Sequence, residues 1–197
     1  VGRNTQLTWL YGALGTHLSK NFVDIDLLGR DAEVQVKGFY LTDDKQHIDL
    51  DTQQNHLAAR TTSNLLFKGA VTESSAAVWE GMIYVAPTAM QTDGYQSSRN
   101  LVLSKSAKVN AIPGLEILAD DVRCSHGATV GKIDEEELFY LQTRGIPLLD
   151  AEQLILEGFF GEVIELTPDE AIKEDLKSKI SKKFAEVRSR REQTEVG

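Results

Sequence analysis

The sequence predicts a mainly β protein that ends in a small α-helical domain. Two observations carry this prediction: short segments of alternating apolar and polar residues fill residues 5–130, and a helical hydrophobic period begins after residue 133. The 197 residues are 41% hydrophobic and 26% charged, which is enough apolar material for one hydrophobic core. We therefore expect a β body over residues 1–133 and a helical domain over residues 134–197.

The β body is predicted from short segments in which every second residue is apolar. Val23, Ile25 and Leu27 share one face of such a segment, and Val34 and Val36 share a face of the next. Residues typical of turns separate the segments at Gly29, 42–44, 72–75 and 92–94. Many short strands fit a sandwich, a barrel or a β-solenoid, and the sequence has only loose self-similarity with which to choose among them.

The first predicted helix follows the β body directly. Asp134 is its expected N-cap, and Glu137, three residues later, completes a capping box. Gly145 can adopt the left-handed conformation that ends a helix, and Pro147 blocks its continuation.

Two further helices complete the predicted helical domain. Asp150 is expected to begin the second helix, and Thr167 to cap the third, with Pro168 at its first position and Glu170 in a capping box. One apolar stripe is expected along the third helix, formed by Ile172, Leu176, Ile180, Phe184 and Val187.

Composition and charge argue against several classes of partner and location. The net charge of −9 and the sequence pI of about 5.0 argue against nucleic acid as a partner, because phosphate binding needs a concentrated basic face. No apolar run approaches the ~20 residues of a membrane span, and no secretion signal is visible. The chain begins at Val1, so we expect it to be part of a longer protein. A single cysteine cannot form an internal disulfide, which favours the cytoplasm.

Cys124 and His126 are the most conspicuous candidate site. Residues two apart in a strand point to the same face, so the thiol and the imidazole could share a metal. The segment offers no further ligand, so a real metal site would need ligands from another chain. On spacing alone, a small buried cysteine beside a solvent-facing histidine is the favoured interpretation. A Cys–His hydrolase is disfavoured, because two side chains on one strand reach each other poorly.

Three other polar or glycine-rich features have simpler explanations. The cluster from His56 to Ser63 is interpreted as the solvent face and turn of a strand pair. The acidic pairs at 43–44 and 120–121 are interpreted as solvated turn residues. Gly158 and Gly161 flank two phenylalanines within a predicted helix, which indicates either packing against the third helix or a docking face for a partner.

Three stretches resemble the SufB/SufD family of scaffold proteins in iron–sulfur cluster assembly. They are RNTQLTWLYGALG, WEGMIYVAPTAMQTDGYQSSRNLVLSKSAKVNAIPGLEI and LEILADDVRCSHGATVGKIDEEELFYLQTRGIP. The last contains the specific block Cys-Ser-His-Gly-Ala-Thr, and the histidine at 126 matches the SufD branch. The resemblance covers nearly the whole chain. Family members are considerably longer, with an N-terminal helical region and earlier coils.

The resemblance implies a fold and a set of partners. The fold is a right-handed parallel β-helix followed by a C-terminal helical domain. The implied partners are a SufB-like scaffold, or a second copy, at the β-helix, and a SufC-like ABC-type ATPase on the helices. A transient iron–sulfur cluster would form at the scaffold interface with His126 and Cys124 as candidate ligands, and no cofactor would be bound stably by this chain alone. The implied location is the cytoplasm, or the plastid stroma in a photosynthetic eukaryote. The candidate ATPase-docking residues are Phe139, Tyr140, Arg144, Phe159 and Phe160.

The chain is therefore expected to be a non-catalytic scaffold. It has no P-loop, so ATP hydrolysis would come from the partner. Two alternatives stay open. A β-solenoid enzyme acting on carbohydrates would need paired carboxylates in a groove, for which Asp24, Asp26, Asp49 and Asp51 are the candidates. An interaction module with an inert cysteine–histidine pair is the other.

Overall fold

Two parallel β-sheets face each other along the first 131 residues of the computed structural model, which describes residues 1–195 and the side chains of residues 1–190. Sheet A contains β1 (Gln6–Ala13), β3 (Glu33–Thr42), β5 (Thr62–Val71), β7 (Thr92–Val102) and β9 (Val122–Gly131), in that order. Sheet B contains β2 (Leu18–Leu27), β4 (His47–His56), β6 (Ala76–Val85) and β8 (Lys108–Ile117). Successive strands alternate between the sheets, so the chain winds as a parallel β-helix. The predicted solenoid is confirmed.

Each coil has nearly the same length. Gln6 pairs with Glu33 and Ala76 with Lys108, so one coil takes between 27 and 32 residues. A residue with positive φ stands one or two positions before four sheet A strands: Asn4, Asp31, Arg60 and Gln91. The backbone N–H of each donates to a carbonyl in the turn of the next coil. The turns are therefore stacked like the strands.

The interior of the β-helix is apolar in its early coils. Side chains that point inward from both sheets form one cluster with little solvent exposure. Its buried members are Val23, Ile25, Leu27, Ala32, Val34, Val36, Leu50, Leu65, Phe67 and Trp79. This packing confirms the predicted inward faces of the second and third strands.

Three helices follow the β-helix: α1 (Glu135–Thr143), α2 (Leu148–Ile164) and α3 (Glu170–Glu195). The second and third cover the outer face of sheet A, where Phe39 and Leu66 pack against apolar residues of α2 and α3. The rings of Phe39 and Phe160 lie 5.5 Å apart between their centroids. The helical segment thus buries its apolar residues against the middle coils.

Charged residues border this apolar contact. Lys183 of α3 is buried, and its Nζ lies 2.7 Å from Asp43 Oδ1 in the turn after β3 and 2.9 Å from Gln46 Oε1. Arg190 pairs with Asp43 and, at 3.1 Å, with Glu73 in the turn after β5. We call Asp43, Glu73, Lys183 and Arg190 the ionic latch, because they fasten α3 to two stacked turns.

The first helix has the predicted N-cap and the predicted glycine end, but the described residues show no hydrogen bond between Glu137 and Asp134, so the expected capping box does not form. The Asp134 side chain caps it by accepting a hydrogen bond from the Glu136 backbone N–H at 2.8 Å. Gly145 has φ of +84°, and the backbone N–H groups of Gly145 and Ile146 donate to the last turn. This pattern is the glycine-ended helix terminus that the sequence indicated.

The starts of the other two helices differ from the prediction. α2 begins at Leu148 with Pro147 as its N-cap, before Asp150, because proline is tolerated where no N–H donor is needed. Asp169 caps α3 in place of Thr167, since its Oδ1 accepts from the backbone N–H groups of Ala171 and Ile172. Asp169 immediately precedes the first helical residue, so its carboxylate lies within reach of these donors, whereas Thr167 lies two residues further away.

Two other expectations require correction. Residues 92–94 were expected to form a turn but are the first residues of β7, since Thr92 pairs with Val122 and Gly94 with Cys124. The apolar stripe of α3 is buried only in its second half, because Ile172 is exposed and lies outside the contact with sheet A.

Candidate functional site

Cys124 and His126 lie on β9, the last strand of sheet A. β9 pairs only with β7, where Cys124 lies beside Gly94 and His126 beside Gln96. Neighbours in a parallel ladder share a face, and Gln96 is fully buried in the interior. Both candidate residues are therefore on the inward-facing side of the terminal coil, where no further coil covers them among the residues described.

The Cys124 thiol is half-buried beside Gly94. Its Sγ lies 3.2 Å from the position that a Cβ on Gly94 would occupy, and it packs against the apolar cluster around Ile83 and Val85. Burial raises the pKa of the Cys124 thiol, and the charge of Asp93 raises it further, while a backbone hydrogen bond at Gly94 acts in the opposite direction. The thiol is thus held in its protonated form, and metal binding must displace a proton.

His126 is exposed at the end of a ladder that changes from apolar to polar. The ladder runs through Trp9, Val36, Leu65, Gln96 and His126. Gln96 is satisfied inside the β-helix, because its Nε2 donates to the carbonyls of Gly81 and Gly114 at 3.2 and 3.0 Å. His126 has no coil above it and presents its imidazole to solvent.

This chain supplies at most part of a metal-ligand set at that position. Among residues 1–190, no three histidine, cysteine, aspartate or glutamate side chains are placed to hold one metal ion. Iron–sulfur and zinc sites need about four protein ligands. Cys124 and His126 could therefore hold a metal only together with groups other than the side chains of residues 1–190.

The terminal coil also leaves strand edges open. β8 and β9 have one strand neighbour each in their sheets. Exposed apolar residues lie on or next to these edges, namely Ile112, Leu115, Ile117, Leu118 and Val130. An unpaired edge with apolar neighbours is suited to pairing with another chain.

The five candidate docking residues on the helices do not form one surface. Phe139 and Tyr140 are exposed by 68% and 57%, and the Arg144 guanidinium lies 5.2 Å from the Tyr140 ring centroid. Phe159 is half-buried, with the Lys68 ammonium 4.6 Å from its ring centroid. Phe160 is fully buried and packs on sheet A, so its proposed place in an exposed docking face is wrong.

The cluster from His56 to Ser63 contains the predicted turn, with Arg60 and Thr62 exposed, but it is not a solvent face throughout. His56, Thr61 and Ser63 are fully buried, because His56 points inward from the end of β4 toward sheet A. His56 Nδ1 and Nε2 lie 2.8 Å from the hydroxyls of Thr61 and Ser63. Thr61 donates to the Ala58 carbonyl, so Nδ1 donates to Thr61 and Nε2 accepts from Ser63. Burial lowers the pKa of His56 to about 4.

The four aspartates considered for carbohydrate chemistry lie on the outer face of sheet B. Lys20 Nζ bridges Asp49 and Asp51 at 2.9 and 2.7 Å. The Asn55 amide donates to Asp24 and Asp26, at 2.8 Å in each case. They are therefore engaged in two separate polar clusters, one around Lys20 and one around Asn55.

The chain was compared with known proteins. A family model described as SUF system FeS cluster assembly, SufBD core domain, matches residues 1–159. In the part of the chain that the structure describes, no helix is both long and apolar enough to cross a membrane.

Three relatives illustrate the similarity. The iron–sulfur cluster assembly protein SufD of Escherichia coli strain K12 is 36% identical over 171 residues, covering 87% of this chain and 40% of that protein. The SufD protein of Bacillus subtilis strain 168 is 32% identical over 184 residues, covering 92% and 42%. A chloroplastic protein of Arabidopsis thaliana is 36% identical over 167 residues, covering 84% and 35%. The chain thus spans about half the length of such relatives or less.

Proposed function

The chain belongs to the SufBD core family of the SUF iron–sulfur cluster assembly system, and from this premise we propose that it is a SufD-type scaffold subunit. Its role would be to present ligands and to bind partners, with no bond-making step of its own. The cluster is cargo in this proposal and is held transiently at an interface. No cofactor would remain bound to the isolated chain.

The position of His126 is the observation that carries the proposal. An imidazole that faces solvent from the inward side of a terminal coil can meet a second protein without rearrangement of the β-helix. Cys124, two residues away on the same strand, is a second candidate ligand once its proton is displaced. A partner chain would supply the remaining ligands.

The open edges of β8 and β9 support a SufB-like scaffold, or a second copy of this chain, as that partner. Backbone pairing along either edge would continue a sheet into the partner and cover the apolar residues beside it. Such pairing would place the cluster ligands of the two chains at one seam.

The exposed part of α1 supports a docking site for a SufC-like ABC ATPase. Phe139 and Tyr140 are large, exposed aromatic side chains, and Arg144 stacks on Tyr140. Aromatic and arginine side chains are the common anchors of protein interfaces. A shallow apolar recess formed by Tyr140, Leu141 and Ile155 adjoins them. The compartment in this proposal is the cytoplasm or the plastid stroma, and the second option is supported by a relative described as chloroplastic.

The decisive experiment replaces His126 in the reconstituted complex. The chain is coexpressed with a SufB-like scaffold and a SufC-like ATPase, and iron and acid-labile sulfide are measured per purified complex. We expect His126→Ala to lower both by about tenfold, as loss of a metal ligand does, while the complex still assembles. His126→Cys should restore part of the cluster content, because a thiolate is also a ligand for iron.

His17→Ala is the matched control, because His17 is also exposed but lies far from β9 in the connection between β1 and β2. Its cluster content should equal that of the unaltered chain. Unchanged iron and sulfide in His126→Ala would contradict the ligand role and favour an inert interaction module. Failure of the three proteins to copurify would contradict the partner assignment instead.

A further inference from the structure

The outer face of sheet B carries a groove that the proposed function does not use. It has a volume of about 630 Å³ and runs across all four strands of the sheet. Its lining includes acidic and large apolar side chains, namely Phe22, Asp24, Asp51, Glu80, Met82 and Ile112. The helices pack on sheet A, so this groove lies on the opposite side of the β-helix.

The groove is strongly acidic for a strand surface. The outward positions of sheet B hold six carboxylates, against two lysines, Lys20 and Lys108, and one histidine, His47. Asp51 and Glu80 are direct neighbours in the β4–β6 register. Like charges on adjacent strands are destabilising, and among the described residues Lys20 pairs with Asp51 whereas no cation pairs with Glu80.

Two carboxylate oxygens in the same region have no donor. Lys20 occupies the Oδ2 atoms of Asp49 and Asp51. The Oδ1 atoms of both are shielded from solvent and have no hydrogen-bond partner among the described residues. A shielded acceptor without a donor is costly, and of these two aspartates only Asp51 lines the groove, so Asp51 is the one whose carboxylate a ligand could engage.

The rim of the groove is apolar and aromatic. Phe22 is 72% exposed and Ile112 is 52% exposed, and the two residues stand at opposite ends of the ladder that contains Asp51 and Glu80. The Lys20 ammonium already lies 5.0 Å from the Phe22 ring centroid. The ring is therefore placed where a cation can rest on it.

We propose that this groove docks an arginine-bearing segment of a partner protein. A guanidinium supplies a positive charge between Asp51 and Glu80, several donors for carboxylate oxygens and a flat face for Phe22. Apolar residues beside the arginine would contact Met82 and Ile112. A lysine has the charge but not the planar donor array, so the site selects arginine.

Isothermal titration calorimetry with blocked pentapeptides tests this proposal on the unaltered chain. The first probe alternates leucine and arginine, and the second has citrulline, which is neutral and nearly isosteric, at each arginine. A third has lysine. We expect the arginine peptide to bind about tenfold more tightly than the citrulline peptide and several-fold more tightly than the lysine peptide. Equal binding of the arginine and citrulline peptides, or no binding of the arginine peptide at millimolar concentration, would overturn the proposal.

Three charge-neutralising variants separate a built site from general acidity. Asp51→Asn and Glu80→Gln should each weaken the arginine peptide by about tenfold. Glu116→Gln removes one charge from the same face outside the groove and should leave affinity unchanged. If all three weaken binding alike, the surface is only acidic and the proposal is wrong. Far-UV circular dichroism confirms folding, and Glu80→Gln, at an exposed position, decides the outcome should Asp51→Asn misfold.

Discussion

The buried His56 makes the stability of the β-helix depend on pH. Burial lowers its pKa from 6.5 to about 4, because both ring nitrogens are occupied by hydroxyl groups and the charged form has no water. Above pH 6.5 both the folded and the unfolded chain hold a neutral imidazole. As pH falls from 6.5 to 4, only the unfolded chain takes up the proton, which lowers the free energy of unfolding by about 3 kcal/mol.

Replacing His56 should remove this pH-dependent contribution to the free energy of unfolding. In His56→Gln, the free energy of unfolding from urea titrations should fall less steeply between pH 6.5 and 4 than in the unaltered chain, although it is lower at pH 7. Gln54→Met is the control, since it replaces a buried polar side chain of the same strand that does not titrate and should leave the slope unchanged. An unaltered slope in His56→Gln would show that other groups carry the acid sensitivity.

The burial of His56 was missed because its neighbours are polar. Position 56 continues the inward series of β4, in which Thr52 and Gln54 are also buried. Alternation of apolar and polar residues fails as a guide where inward side chains are polar and satisfy one another. The same ambiguity hid the inward face of Gln96 beside His126.

At the scale of an element, α3 is fastened by charge as well as by apolar packing. Lys183 and Asp43 are both buried, so removing one leaves the other without its main partner. We expect Lys183→Met to lower the free energy of unfolding by roughly 3 kcal/mol, measured by urea titration. The residual pairing of Asp43 with Arg190 keeps the loss from being larger.

Lys179→Met is the matched control on the same helix. Its partner Asp175 lies one turn away, and both side chains are more than half exposed. Removal of this exposed pair should change stability by less than about 0.5 kcal/mol. Equal effects of the two substitutions would mean that the ionic latch adds nothing beyond an ordinary surface ion pair.

Element types were predicted well, and element boundaries less well. The hydrophobic period identified strands and helices because burial on one face is a strong constraint. The repeat was only loosely visible, since the left-handed turn position is filled by Asn4, Asp31, Arg60 and Gln91 in successive coils. The left-handed backbone conformation recurs in each coil, but the residue type at that position changes. The repeat of the coils is therefore hard to recognise in the sequence.

At the scale of the whole molecule, the helices and the β-helix should unfold together. Solenoids can unfold from their ends, since each coil contacts only its neighbours. Here Phe160 and other residues of α2 pack on β3 and β5 in the middle of the stack. In thermal unfolding, circular dichroism at 222 nm and the fluorescence of Trp9 and Trp79, which lie in strands, should have the same midpoint.

Phe160→Ala should separate the two signals. Loss of this buried ring costs about 3–5 kcal/mol at the contact between α2 and sheet A, so the helical signal should be lost first. Tyr140→Ala, at an exposed position on α1, is the control and should keep the midpoints coincident. Separate midpoints in the unaltered chain would contradict the expected cooperativity.

Only part of the candidate site could be predicted from the sequence. Spacing placed Cys124 and His126 on one face, but it could not show that β9 is the final strand with its interior uncovered. The docking residues show a second limit of prediction from the sequence. Phe159 and Phe160 are adjacent in sequence, but only Phe160 is wholly buried. Which side of a helix meets the sheet depends on a contact with residues more than a hundred positions away.

The regular spacing of the coils fixes distances along the β-helix. The helices rest on β3 and β5, and β9 lies two strands further along sheet A, at about 4.8 Å per strand. Adding or deleting one coil of some thirty residues would shift His126 by one such step relative to α2 and leave local contacts intact. The number of coils, more than any single side chain, therefore sets how far the exposed histidine stands from the helical layer.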